Sequence, residues 1–240
     1  MEVLRIESLK KSFGAITVAD GIDLSIGAGD AVGIIGPNGA GKTSLFNLIG
    51  GNLQPDAGRV YLLGKDVTAM GAEKRCRAGL GRTYQIPQPF AGMTVFENCL
   101  VAATSGAGKR EGKSYDDCAR VLEEMHLLAK ANVLAGSLTL LERKALEVAR
   151  ALCSEPRVLL LDEIAGGLTP AEASELVETL RGVNQRGVAI VWIEHIVHAL
   201  VAVVNRLVVM NFGAKVMEGA PAEVMASAEV KRIYMGMEAA

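Results

Sequence analysis

Aromatic residues make up only 4% of this 240-residue chain, and 25 basic residues against 27 acidic ones leave a net charge of −2. Little is left for a base-stacking surface or a phosphate-backbone footprint, so nucleic acid is not an expected partner. Cysteine is scarce too. Cys76, Cys99, Cys118 and Cys153 form no C-x-x-C pair and have no histidine at ligand spacing, which argues for reduced core thiols in a cytosolic setting rather than a disulfide framework or a metal site. Long apolar runs are also missing. Ala199-Leu-Val-Ala-Val-Val204 stops at Asn205 and Arg206, far short of the roughly 20 residues a spanning helix needs. Met1-Glu-Val-Leu-Arg-Ile6 is too polar for a signal peptide, so any work at a membrane is expected to be that of a peripheral subunit.

Half of the residues are apolar, enough for one large domain or two intimately joined ones. The most informative stretch is Gly36-Pro37-Asn38-Gly39-Ala40-Gly41-Lys42-Thr43, which follows the apolar run Ala31–Ile35 and leads into the helical pattern Ser44–Ile49. Strand, Gly-rich loop and helix in that order satisfy G-x-x-x-x-G-K-[ST] in the context that makes it a phosphate-binding loop. The glycines let backbone N–H groups and the positive end of the helix face a triphosphate. Lys42 is expected to neutralise the β- and γ-phosphates, and the Thr43 hydroxyl to hold Mg²⁺. ATP and Mg²⁺ are therefore the expected ligands, gripped by Gly36 through Ser44.

Short β-rich runs, Leu4–Ile6, Ala31–Ile35, Val60–Leu63, Val158–Leu161, Val188–Ile193 and Leu207–Met210, alternate with helical patterns, and the fold class reads as α/β. Between about Pro87 and Cys153 the strands stop. Helical segments interrupted by the polar loop Ser105–Ser114 take over, which predicts a helical subdomain at 87–153 inserted into a core formed by 1–86 and 154–240. Further along, the apolar run Val158–Leu161 ends in Asp162-Glu163. A strand ending this way puts two carboxylates at the sheet's C-terminal edge, where open α/β sheets bind ligands. Asp162 suits an outer-shell Mg²⁺ partner, and Glu163 suits a group that orients or deprotonates water.

With these residues assembled, the chain resembles, over nearly its whole length, the ATPase subunits of ATP-binding cassette (ABC) transporters. The resemblance implies a P-loop core with an antiparallel β portion and the inserted helical subdomain. It gives Phe13, in Lys11-Ser-Phe-Gly14, the place of an aromatic that stacks on adenine. Gln85 takes the place of a glutamine that touches Mg²⁺ and water while facing the membrane subunit, His195 that of a histidine contacting the γ-phosphate, and Leu138-Thr139-Leu140-Leu141-Glu142 that of the signature. Arg82-Thr-Tyr-Gln85, Pro89-Phe90, Met93–Asn98, Leu146–Leu152 and Gly166–Pro170 are most similar to ATPases of branched-chain and hydrophobic amino-acid importers. The implied partners are a second cassette subunit, two transmembrane permeases and a periplasmic binding protein, with the chain lying on the cytoplasmic face of the inner membrane. Permease docking is expected near Gln85–Phe90, where Pro87 and Pro89 disfavour helix and Phe90 offers an apolar anchor. The alternatives are an exporter of lipopolysaccharide or lipid, and a largely regulatory cassette without full turnover.

Two departures from the family pattern stand out. The usual signature, Leu-Ser-Gly-Gly-Gln, grips the γ-phosphate bound by the opposite subunit. Here Thr139 keeps a hydroxyl, but Leu140, Leu141 and Glu142 replace the glycines and glutamine, which crowds the approach. Thr139-x-x-Glu142 is also a capping-box pattern, so the helix is expected to satisfy its own end and to place a carboxylate where an anion would dock. The second departure is Gly166-Gly-Leu-Thr169 where the family usually has Ser-Ala-Leu-Asp. Thr169, Pro170 and Glu172 again read as a capped helix start. An asymmetric pair with a different, glycine-bearing cassette is the expectation that follows.

Overall fold

The computed structural model describes residues 1–235, and residues 236–240 of the expected core segment lie outside the described residues. Strands β1 (Glu2–Phe13), β2 (Ile16–Gly27), β3 (Ala31–Ile35), β4 (Ala57–Leu62), β5 (Lys65–Asp66), β6 (Leu80–Arg82), β7 (Val158–Asp162), β8 (Ala189–Ile193), β9 (Arg206–Asn211) and β10 (Ala214–Gly219) form two sheets. One is antiparallel, in the order β2-β1-β4-β5. The other runs β10-β9-β3-β8-β7-β6, parallel except for the edge strand β10.

The central parallel strands are apolar along most of their length because both of their faces are covered. Successive side chains alternate sides. Val158 and Leu160 of β7 and Ala189, Val191 and Ile193 of β8 join one core with the antiparallel sheet and the buried face of α1 (Lys42–Gly50). Leu159, Leu161, Ile190 and Trp192 join a second core on the opposite side. Trp192 is wholly buried there, and truncating it to alanine is expected to cost about 3–5 kcal/mol.

After α2 (Ala72–Arg77) and β6, the chain forms α3 (Val95–Val101), α4 (Glu111–Glu124) and α5 (Leu140–Cys153) before β7. No strand forms between β6 and β7 among the described residues, apart from a single bridge between Thr94 and Leu134. The Ser105–Ser114 loop is shorter than its composition suggests. A π-helical turn holds Ala102–Gly106, and α4 starts at Glu111, with Ser114, Cys118, Val121 and Leu122 buried at helical spacing. Cys99, Cys118 and Cys153 are buried free thiols, whereas Cys76, also expected in the core, is only partly buried on α2. Residues 85–90 form no helix, in keeping with Pro87 and Pro89.

The last helices are α6 (Pro170–Gln185), α7 (Val197–Val201), α8 (Pro221–Ala226) and α9 (Ala228–Met235). Leu146 and Val148 of α5 share one continuous apolar cluster with Leu176 and Leu180 of α6 and Leu200 of α7. The helical insert therefore shares a core with the parallel sheet's own helices, and Lys144 of α5 reaches the carbonyls of Glu163 and Ile164 just past β7.

Candidate active site

Close backbone packing forces the loop between β3 and α1 to be glycine at two points. A Cβ on Gly36 would lie 2.2 Å from the Met210 carbonyl oxygen, and one on Gly41 would lie 2.2 Å from the Val18 carbonyl oxygen. Gly41 also has φ +98°, a conformation that L side chains rarely adopt. It is the N-cap of α1 and has no side chain with which to cap the helix, so the first amide donors of α1 and its positive end are left for a ligand. The Gly213 N–H donates to the Ala40 carbonyl at 3.0 Å, and the Asp20 N–H to the Gly213 carbonyl at 2.9 Å, which fixes the loop's outer wall. Lys42 is buried and folds over the loop, donating to the carbonyls of Gly36 (2.7 Å) and Pro37 (3.0 Å). Desolvation lowers its pKa, while Glu163 and Asp162 oppose that shift. A cation held this way gains strongly from an incoming polyphosphate.

The ends of β6, β7 and β8 bring the second half of the site to the same sheet edge. Glu163 immediately follows β7 with φ +48°, a left-handed conformation costing a non-glycine residue roughly 1–2 kcal/mol. Its N–H donates to the Ile193 carbonyl at 2.9 Å. Its carboxylate stands between two donors: Gln85 Nε2 lies 2.6 Å from one oxygen and His195 Nε2 lies 2.8 Å from the other. Pairing with a carboxylate selects the imidazole tautomer that carries the proton on Nε2. Asp162 is buried, and desolvation raises its pKa against the opposing Arg82 guanidinium, whose nitrogen is 3.5 Å away. Thr83 Oγ1 accepts from the Asp162 N–H at 3.2 Å.

Lys42, Asp162, Glu163, Gln85 and His195 are thus brought to one place. Thr43 is exposed on the first turn of α1, beside Lys42. Its hydroxyl, the Asp162 carboxylate and the Gln85 amide oxygen are donors of the oxygen type that Mg²⁺ takes. Among the described residues no cluster of three or more His, Cys, Asp or Glu residues forms a protein-only metal cage, and such a cage is not what Mg²⁺ needs beside substrate phosphates. Phe13 sits at the end of the β1–β2 hairpin, with its ring 52% exposed and Lys11 Nζ 5.5 Å from its centroid. β2 continues from this hairpin to Val18, which abuts Gly41, so the exposed ring lies on the strand pair that borders the loop.

Thr139 is not part of this cluster. It is the N-cap of α5 and forms a complete capping box, with the Glu142 N–H donating to its hydroxyl and Glu142 Oε2 accepting from its N–H at 2.9 Å. Thr169 and Glu172 cap α6 in the same way, with Pro170 at the first helical position. One expectation is corrected here. The Glu142 carboxylate, expected where an anion would dock and poorly compensated, is paired: Lys130 Nζ hydrogen-bonds its other oxygen, and this contact together with the capping bonds lowers its pKa. The crowding remains, since Leu140 is 47% exposed at the first position of α5. Sequence inspection passed over Arg82, Lys144 and Glu194. Arg82 is three residues before Gln85, and Glu194 is next to His195. Lys144 carries no local signal beyond being a charge inside an apolar helical pattern.

The model of a family described as ABC transporter matches residues 19–166. The chain is 33% identical to the high-affinity branched-chain amino acid transport ATP-binding protein BraF of Pseudomonas aeruginosa, over 98% of each sequence. It is 32% identical to the LivG protein of Salmonella typhimurium, which carries the same description, again over 98% of each. It is also 33% identical to LptB of Acidithiobacillus ferridurans, the ATP-binding protein of a lipopolysaccharide export system, over 98% of this chain and 97% of that one. Among solved structures it is similar to an ATP-binding cassette of an ABC transporter in its ADP conformation, with a TM-score of 0.90 and 32% identity over 98% of this chain and 99% of the other. A nucleotide-free cassette from an ABC transporter gives 0.89 at 31% identity with the same coverage.

Proposed function

This chain belongs to the ABC transporter family as an ATP-binding and ATP-hydrolysing subunit, and from that premise we propose that it powers uptake of branched-chain or other hydrophobic amino acids, or related small solutes. Its place is the cytoplasmic face of the inner membrane. No helix among the described residues is long and apolar enough to cross a membrane, so translocation falls to two permease subunits, with a periplasmic binding protein delivering the solute. Segments 1–86 and 154–240 act as the nucleotide core and 87–153 as the helical subdomain.

The observation that carries the hydrolytic reading is Glu163, held in a left-handed turn with its carboxylate between Gln85 and His195 and within electrostatic reach of Lys42. Residues Gly36–Ser44 cradle the triphosphate, and Phe13 stacks on the base. Thr43, Asp162 and Gln85 hold Mg²⁺, which supplies charge neutralisation on the phosphates when bound. A carboxylate capped by two donors is a weak base, so turnover requires one donor to give way. A γ-phosphate arriving over Lys42 draws the His195 N–H to its own oxygens and uncovers one Glu163 oxygen. That oxygen then takes a proton from water as the water oxygen bonds to the γ-phosphorus and the bond to the β–γ bridging oxygen breaks.

A head-to-tail pair with a different cassette follows from the closed start of α5. In such a pair this chain's phosphate loop meets the partner's signature, while the partner's loop meets Leu138–Glu142. Leu140 projects from the helix end, so the second site closes poorly.

Reconstitution of the complete transporter in vesicles tests both halves of the reading. Glu163→Gln is expected to keep ATP affinity but to slow turnover by roughly 100- to 10,000-fold, the scale of a lost general base. Labelled leucine should accumulate only in vesicles bearing the unaltered chain. Undiminished phosphate release from Glu163→Gln would remove the residue from this role. Extraction of lipopolysaccharide without amino-acid uptake would move the chain to the exporter class that LptB represents.

A further inference from the structure

Two buried charges have no part in the roles assigned above. Lys144, on α5, is 4% exposed and donates to the Ile164 carbonyl at 2.8 Å and to the Glu163 carbonyl at 3.4 Å. Glu194, just beyond β8, is 2% exposed, accepting from the Ala165 N–H at 2.7 Å with one oxygen and from the His195 N–H at 2.8 Å with the other. Burial pulls the Lys144 pKa down, with the Glu194 and Glu163 carboxylates opposing it. Desolvating an ammonium and a carboxylate is costly unless hydrogen bonds satisfy them, and an apolar side chain would fill either space more cheaply.

What these charges share is their target. All four bonds go to main-chain atoms of residues 163–165 and of His195, the backbone that carries the two side chains meeting at 2.8 Å. A non-glycine residue at φ +48° persists only where its surroundings over-determine it. One restraint comes from the helical insert and the other from the central sheet. Lys144 also lies one turn beyond Leu140, an axial rise of about 6 Å along the same helix.

Resting on the reading of Glu163 as the group that handles the attacking water, we propose that Lys144 and Glu194 are positioning residues that bracket the 163–165 turn, and that Lys144 transmits displacement of the α5 N-terminus to the Glu163 carboxylate. Contact made by a partner at Leu138–Glu142 is thereby felt at this chain's own hydrolytic carboxylate. Neither residue touches substrate. Each acts through the backbone it holds.

The test measures steady-state ATP turnover of the complete transporter carrying Lys144→Met, Lys144→Arg, Glu163→Gln, or Lys144→Met combined with Glu163→Gln. Misplacement of a reacting group by about 1 Å costs on the order of 100-fold, so Lys144→Met is expected to lower kcat roughly 10- to 100-fold while KM for ATP moves less than about threefold. Lys144→Arg, which keeps cationic donors, should recover most of that loss. In the Glu163→Gln background Lys144→Met should cost less than about twofold more, because the group it positions is already gone. The proposal is overturned by a kcat within twofold of the unaltered chain, by arginine doing no better than methionine, or by losses that simply multiply in the double variant. Should Lys144→Met not fold, Glu194→Gln, which breaks one of the two N–H contacts, goes through the same comparison with the same expectation. Near-normal turnover of Glu163→Gln itself would instead overturn the reading of Glu163.

Discussion

Two helices in this chain, α1 and α5, begin in opposite ways. α1 starts at Gly41, which has no side chain and a left-handed backbone, and its first amides are left open. α5 starts at Thr139, which closes the end with Glu142 in a reciprocal pair of hydrogen bonds, while Lys130 holds the remaining carboxylate oxygen. The backbone physics is the same at both ends: orphan donors and a partial positive charge. Residues at the N-cap and N3 positions decide whether that potential faces a ligand or is used internally. An open end serves as an anion site, and a capped one serves as a firm helix start. Helix α6 repeats the capped solution with Thr169 and Glu172.

Closing the open end should have the largest effect. Gly41→Ala combines a positive φ with a Cβ 2.2 Å from a backbone oxygen. The conformation alone is worth about 1–3 kcal/mol. Thermal unfolding should show at least that loss, and calorimetry should show ATP affinity falling with it. Opening the closed end is expected to act differently. Thr139→Ala removes a capping side chain at a cost of about 1 kcal/mol, which for a chain of this size lowers Tm by about 2–4 °C. ATP affinity of the isolated chain should not change, because Thr139 lies outside the phosphate loop.

The smallest effect concerns acid. Glu142 has its folded pKa depressed below the ordinary 4.5, first by Lys130 and then by the Thr139 backbone. A depressed carboxylate contributes stability that is full above its unfolded value and is lost as pH falls through the folded one. Glu142→Gln should therefore cost about 0.5 kcal/mol at neutral pH. The difference from the unaltered chain should vanish below the depressed pKa. Denaturant titrations at neutral and acid pH check both points, and a gap that widens on acidification would contradict the pairing.

The phosphate loop was legible because its constraint is local: glycines where Met210 and Val18 press in, followed at once by the lysine. The capped helices were legible for the same reason, since a capping box spans four residues. Wholly apolar strands such as β7 and β8 announced their double burial. The antiparallel strands were harder to bound. β1 runs on to Phe13, well past Leu4–Ile6, because its outer end is polar and is held by pairing with β2 rather than by burial of an apolar run. The Lys144–Glu194 bracket was not legible at all. Its two members lie 50 positions apart in the numbering and meet only through the backbone of residues 163–165, a relation that no spacing rule encodes. The state of Glu142 was also beyond reach, since Lys130 arrives from a separate turn before α5.

The central claim is that this chain's open phosphate loop hydrolyses ATP while its closed α5 end makes a poor lid for the partner's site. ATP turnover of the complete transporter, with the phosphate-loop lysine disabled in one subunit at a time, tests it most directly. Lys42→Ala is expected to abolish nearly all turnover, and the equivalent change in the partner cassette should leave a substantial fraction. Equal losses from the two changes, or full activity from a pair made only of this chain, would contradict the account.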